Sequence, residues 1–209
     1  MASYDNHEMF LDDITVGGRL EGSGKKLLVF LHGLGAHSGT WRKNVPYFSA
    51  NRLVWAPSVP LHDMERAKDL RRWANIVVRC TMLLNCDVVA YVGNSAGGML
   101  ASICALLAAP RTRCIILEDT APEESYPPHG LEDPPFKGLY SQLGETGVPT
   151  MVVWGRKDQV VPVEDAEKVC HATRCRTLKI FEDASHVPHW EKPWDFNQVV
   201  DAFLESVNM

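Results

Sequence analysis

No stretch of this sequence approaches the roughly 20 apolar residues that a membrane span requires. Basic charge is not in excess either: 21 Lys and Arg against 26 Asp and Glu give a formal net charge of -5. That balance excludes the electrostatic footprint of a nucleic-acid binder and favours solubility. The first residues, Met1–Glu8, show no basic region followed by an apolar one, so no secretory signal is visible. Cysteine is present at Cys80, Cys86, Cys104, Cys114, Cys170 and Cys175, but no pair has the C-x-x-C spacing of a metal or redox site. The expectation is free, buried thiols in a reducing, cytoplasmic compartment, with a Cys170–Cys175 disulfide as the less favoured alternative. Neither a metal nor an organic cofactor is called for.

What is present is organised around Gly93-Asn94-Ser95-Ala96-Gly97. The preceding run, Val88–Val92, is short and β-branched, as in a buried parallel strand. The following one, Met99–Leu107, is rich in Ala and Leu and stops before Pro110, as in a buried helix. A tight turn between the two leaves room only for small residues. It pushes a serine out at the carboxyl end of the strand, often with a strained backbone. Ser95 is therefore a candidate nucleophile.

Along the chain, strands alternate with helices. Met9–Glu21 reads as two short antiparallel strands, with Gly17-Gly18 as the turn. Lys26–Leu31 is a continuous apolar strand ending in His32-Gly33-Leu34-Gly35. A short helix over Ser38–Ala50, weakened by Pro46, precedes a strand at Arg52–Ala56. Asp63–Asn85 has apolar residues at helical spacing and basic ones between them. Strands at Cys114–Leu117, Thr150–Gly155 and Thr177–Phe181 follow, with helices at Val163–Ala172 and Trp194–Val207. Between Ala121 and Gly147 the prolines interrupt regular structure, apart from a short helix near Phe136–Leu143. The pattern predicts one α/β domain over 1–209, a mostly parallel sheet with helices on both faces. In such sheets reactive residues lie beyond the carboxyl ends of strands.

A serine nucleophile needs a base, a group that orients the base, and donors for the oxyanion. His186 follows the last strand and precedes the last helix, which makes it the favoured base; His189, three residues on, is its rival. Asp158 follows the strand ending at Gly155 and is the favoured orienter; Asp119, at another strand end, is the alternative. The backbone N–H groups of Ala96 and Leu34 are the expected oxyanion donors, and Gly33 and Gly35 let the backbone approach closely. His32, Gly33, Asn94 and Trp41 are candidates for contact with substrate. Leu61, Tyr126, Phe136, Leu139 and Tyr140 line either the site or the core.

In these residues the chain resembles the α/β-hydrolase-fold serine hydrolases. The resemblance rests on the H-G-x-G turn at His32–Gly35, the elbow Gly93–Gly97 followed by Gly98, the block Gly155-x-x-Asp158-x-x-Val161-Pro162, and Ser185–Pro193. Ser185 stands where the family usually has glycine before the histidine. The resemblance implies an acyl-enzyme esterase or thioesterase acting on a small-molecule ester or thioester, with Ser95, His186 and Asp158 as triad. The interval 121–147 is short where such proteins carry a helical cap, which implies an open site. Asn94 also resembles the G-N-S-x-G-G elbow of carbon–carbon bond hydrolases, and some members of the fold only bind ligands or partners. The oligomeric state is not legible.

Overall fold

A computed structural model of the chain describes residues 5–61, 70–122 and 138–209. Eight strands form one sheet in the order β1-β2-β4-β3-β5-β6-β7-β8. They are β1 His7–Leu11, β2 Ile14–Glu21, β3 Lys26–Leu31, β4 Leu53–Pro57, β5 Val88–Asn94, β6 Thr112–Glu118, β7 Thr150–Gly155 and β8 Thr177–Phe181. The first two pairings, β1 with β2 and β2 with β4, are antiparallel. All later pairings are parallel, so six strands deliver their carboxyl ends to one edge.

The strands are apolar on both sides because both faces are covered. Leu27, Val29 and Leu31 of β3 face one core, and Leu28 and Phe30 face the other. The first core is closed by α2 Leu70–Leu83, α3 Ala96–Leu107, α4 Leu139–Glu145 and α5 Asp165–Thr173. The second is closed by a 3-10 turn Ser38–Trp41, α1 Val45–Phe48 and α6 Pro193–Ser206. In α2, Leu70, Ala74 and Val77 are buried while Arg71, Arg72 and Arg79 are exposed, which is the expected amphipathic spacing. The buried α3 has no polar face at all, in keeping with its place between the sheet and α2.

Several expectations are corrected. The hairpin turns at Asp12-Asp13, not at Gly17-Gly18: Leu11 pairs with Ile14, and Asp12 adopts a positive φ of 55°. Aspartate tolerates that conformation through local hydrogen bonding. Gly17 and Gly18 instead lie inside β2, where a Cβ on Gly18 would sit 2.6 Å from the Ala56 carbonyl oxygen. The helix expected over Ser38–Ala50 is two short pieces separated around Asn44. The one expected near Phe136–Leu143 runs Leu139–Glu145. The helix expected from Asp63 is described only from Leu70, and Tyr126 and Phe136 also lie outside the described residues.

The cysteines need correction too. Cys170 and Cys175 are joined by a disulfide, while Cys80, Cys86, Cys104 and Cys114 are free and buried. The cause is local: Arg174 ends α5 in the left-handed conformation, φ 51°, and Cys175 N–H donates back to Cys170 O at 2.9 Å. That reversal brings the two Cα atoms to 4.8 Å, within disulfide range.

Candidate active site

Ser95 sits between β5 and α3 with φ 54° and ψ −123°, a region that costs a non-glycine residue about 1–3 kcal/mol. The elbow's glycines are there because backbone passes where side chains would be. A Cβ on Gly93 would fall on the Gly97 carbonyl, one on Gly97 on the Leu31 carbonyl, and one on Gly98 on the Thr120 hydroxyl. Ser95 N–H donates to Glu118 O at 2.8 Å, which ties the strained residue to the end of β6. Its side chain is partly exposed at the carboxyl edge of the sheet.

His186 lies on the loop after β8. Its Nδ1–H donates to Asp158 Oδ2 at 2.7 Å, which leaves Nε2 without a hydrogen bond among the described residues. Asp158 is carried on the turn after β7, and its Oδ1 accepts from Val160 N–H at 2.7 Å and Val161 N–H at 3.0 Å. Burial alone would raise the Asp158 carboxyl, but His186 and those N–H groups hold it below its ordinary value. It is thus an anion at neutral pH, suited to orienting an imidazole and stabilising its charged form. Asn94 Nδ2 donates to His186 O at 3.0 Å, so the residue before Ser95 grips the backbone of the histidine. No hydrogen bond joins Ser95 Oγ to His186 among the described residues; such bonds often tighten only with substrate.

Of the rivals, Asp119 and His189 have separate places. Asp119 is buried with φ 47°; its Oδ1 accepts from Gly155 N–H at 3.0 Å, and its carboxyl interacts with the neighbouring Asp158. Burial first, and then the neighbouring Glu118 charge, push its carboxyl up to about 11, so it stays protonated. One oxygen of Asp119 lies within 4.8 Å of the ligating atoms of Asp158 and His186, but the imidazole bond goes to Asp158. His189 is fully buried. Its N–H and Nδ1 meet the two Glu118 oxygens at 2.7 and 2.6 Å, and Nε2 lies 3.1 Å from Thr40 Oγ1. It has no access to Ser95 chemistry.

The glycine turn is held from behind. His32 is 1% exposed, with Nδ1 2.9 Å from Gly33 O and Nε2 accepting from Val59 N–H at 3.0 Å. Burial lowers its affinity for a proton, and both nitrogens are engaged, so His32 does not face a substrate. Trp41 is corrected likewise: it is fully buried, stacked between Phe30 at 4.6 Å and His189 at 3.9 Å. Leu61, Leu139 and Tyr140 are core residues. Gly33 does meet the elbow, since a Cβ there would lie 3.0 Å from Asn94 Oδ1 and 3.2 Å from Ser95 Cβ. Leu34 and Gly35 are exposed at the same edge, and the Leu34 and Ala96 N–H groups donate to no backbone oxygen among the described residues.

Two anchors of the histidine loop escape a sequence reading. Glu191 accepts from Ser185 N–H at 3.0 Å, Ser185 Oγ at 2.5 Å and Val187 N–H at 3.4 Å. The serine that replaces the usual glycine is therefore a hydrogen-bonding partner of that glutamate. Glu118 is the second anchor, through His189. The only sequence signal for it is an acidic residue at the end of an apolar strand.

A family model described as the alpha/beta hydrolase family matches residues 28–144, more than half of the chain, and one described as alpha/beta hydrolase fold matches 131–193. The chain belongs to the alpha/beta hydrolase family. It is 38% identical over 69 residues to a 2-hydroxy-6-oxononadienedioate/2-hydroxy-6-oxononatrienedioate hydrolase of Klebsiella pneumoniae, covering 33% of this chain and 24% of that one. It is 40% identical over 96 residues to a strigolactone esterase of Pisum sativum, covering 41% of this chain and 36% of that one. These matches thus span about a quarter to a third of the curated relatives' length. Among solved structures, an alpha/beta hydrolase enzyme from a sediment metagenome of the Mar Chica lagoon superposes with a TM-score of 0.78 at 18% identity, covering 98% of this chain and 100% of that one. A bacterial membrane phospholipase A gives 0.80 at 20% identity, covering 98% and 87%. These likenesses establish the fold.

Proposed function

We propose that this protein is a serine hydrolase that cleaves a carboxylic ester or thioester through an acyl-enzyme. One observation carries the reading: an Asp158–His186 pair at 2.7 Å and a strained, partly exposed Ser95 at one sheet edge, linked through Asn94. In the proposed cycle Ser95 Oγ attacks the carbonyl carbon and its proton passes to His186 Nε2. The negative charge on the carbonyl oxygen is met by the N–H groups of Leu34 and Ala96, the latter at the positive end of α3. Collapse breaks the bond to the alcohol or thiol, which leaves with the proton from His186. Water then repeats the sequence on the acyl-enzyme, giving the acid and restoring Ser95.

The same proposal includes a single domain with a short segment over 121–147 in place of a cap. Supporting this, Leu139, Tyr140 and Leu143 of α4 are buried against the main core, so the end of that interval packs as part of the body. An uncapped site suits an ester carried on a flexible or extended molecule. The test is turnover of p-nitrophenyl esters by the wild type and by Ser95→Ala. A loss of about 10⁴-fold or more in a variant that remains folded is expected. Full activity in that variant would remove the assignment.

Carbon–carbon bond hydrolysis is the second reading, favoured by Asn94 in the elbow and by the 2-hydroxy-6-oxononadienedioate hydrolases among the curated relatives. Turnover of a 2-hydroxy-6-oxo-dienoate exceeding that of any acyl ester would favour it.

A further inference from the structure

We infer that the groove between the glycine turn and Trp190 receives an anionic group of the substrate, held by Arg42 and Lys43. The inference rests on the esterase reading and narrows it to a substrate class. The substrates are esters or thioesters carrying a carboxylate or phosphate a short way from the bond that breaks.

The groove has a volume of about 440 Å³ and is lined by Gly35, His37, Arg42, Val187 and Trp190 among others. That is within the range of small-ligand sites. Two of its walls adjoin the proposed chemistry. Gly35 follows the Leu34 donor, on a turn that packs against Ser95, and Val187 follows His186. A substrate with its carbonyl at Ser95 can therefore extend past Gly35 without crossing the fold.

The charge at this groove is one-sided: Arg42 lines it, and Lys43 lies on the ring of Trp190, one of its walls. The Arg42 guanidinium lies 4.4 Å from the centroid of the Trp190 ring and the Lys43 ammonium 4.3 Å from it. Lys43 Nζ also donates to Trp190 O at 2.9 Å. Neither cation forms an ion pair with a carboxylate among the described residues, whereas Arg79, Arg156, Lys157 and Lys168 each do. The nearby acids are engaged elsewhere, Glu191 with Ser185 and Glu118 with His189. His37 adds a ring whose Nδ1 accepts from Gly39 N–H, which puts its proton on Nε2. In a chain of net charge -5, two cations are held on one indole, and no carboxylate among the described residues pairs with either. An incoming anion does so, and a guanidinium presents paired donors that fit carboxylate or phosphate oxygens.

The test compares substrates in matched pairs. Mono-p-nitrophenyl glutarate against p-nitrophenyl butyrate places the charge on the acyl side. S-acetyl-N-acetylcysteine against S-acetyl-N-acetylcysteamine places a carboxylate on the leaving side. In one pair or the other the wild type should favour the charged member about 10-fold in kcat/KM. That ratio should fall to near one in Arg42→Gln/Lys43→Gln, chiefly through KM, and should shrink as salt rises. A ratio near one for both pairs in the wild type, or one that the double variant leaves unchanged, overturns the inference. Fluorophosphonate labelling of Ser95 separates this from failure of the esterase reading. If Ser95 does not label and no ester turns over, calorimetric titration with glutarate and with inorganic phosphate decides: binding lost in the double variant upholds the groove, and no binding in the wild type sinks it.

Discussion

Glu118 and His189 form a two-point pair, backbone N–H and ring nitrogen each meeting one carboxylate oxygen, with both side chains fully buried. Glu118 also takes the Ser95 N–H on its carbonyl. One residue at the end of β6 thereby holds Ser95 through its backbone and the histidine loop through its side chain.

Truncating His189 leaves the Glu118 carboxylate buried without its partner, and removes the ring stacked on Trp41. His189→Ala should cost about 3–5 kcal/mol, a large share of the 5–15 kcal/mol typical of a domain. Urea unfolding monitored by tryptophan fluorescence measures this; a loss under 1 kcal/mol would show that Glu118 has found other donors.

Replacing Ser95 by glycine removes the cost of a positive φ and should raise stability by about 1 kcal/mol while abolishing turnover. In a chain of this size that corresponds to roughly 2–4 °C in Tm. A Tm at or below that of the wild type would mean that the serine side chain itself holds the elbow.

Asp119 and Asp158 should respond to pH with opposite signs. Asp119 is pushed up to about 11, so between its unfolded value and that point folding takes up a proton and stability falls as pH rises. Asp119→Asn keeps the Gly155 acceptor and carries no such cost. It should be more stable than the wild type at pH 8, with the gain vanishing near pH 4. Asp158 is held low, so its stabilising contribution is present above its unfolded value and lost as pH falls through the folded one. Asp158→Asn should be less stable than the wild type at pH 7, and the two should converge toward pH 3. Chemical denaturation at pH 3, 4, 7 and 8 checks all of these, and a gain for Asp119→Asn that does not grow with pH would mean Asp119 is ionised.

Asp158→Asn should also lower kcat by about 10⁴-fold, because an amide at this position favours the wrong tautomer of His186. Ester turnover between pH 6 and 9 measures it. A loss below 10-fold would transfer the orienting role to Asp119.

The positions of Ser95, Asp158 and His186 were legible because each sits where an apolar strand stops, and the stop is written in glycine and aspartate. The alternation of elements was legible for the same reason. Burial of a polar residue was not. His32 and Trp41 resemble ligand contacts in sequence, yet one pins a turn and the other fills a core, since a ring with an N–H gives no sign of which way it faces. The Asp12-Asp13 turn was hidden by Gly17-Gly18, a stronger local signal that serves close strand packing instead. The Cys170–Cys175 bond depends on the left-handed Arg174, and arginine carries no turn signature.

The crossing of the histidine loop over β7 fixes a length. A Cβ on Gly155 would fall on the Ser185 carbonyl, and Lys157 N–H donates to Ala184 O at 2.9 Å, so the loop runs flat across the strand end. From β8 back to β5 is three strand spacings, about 14 Å, and the five residue steps from Phe181 to His186 reach at most about 17 Å. Part of that reach is spent in the turn closed by Ala184 N–H to Phe181 O at 3.2 Å, so the tether has little slack. Shortening it by two would leave His186 short of Ser95 in an otherwise intact fold, whereas lengthening it would cost only order.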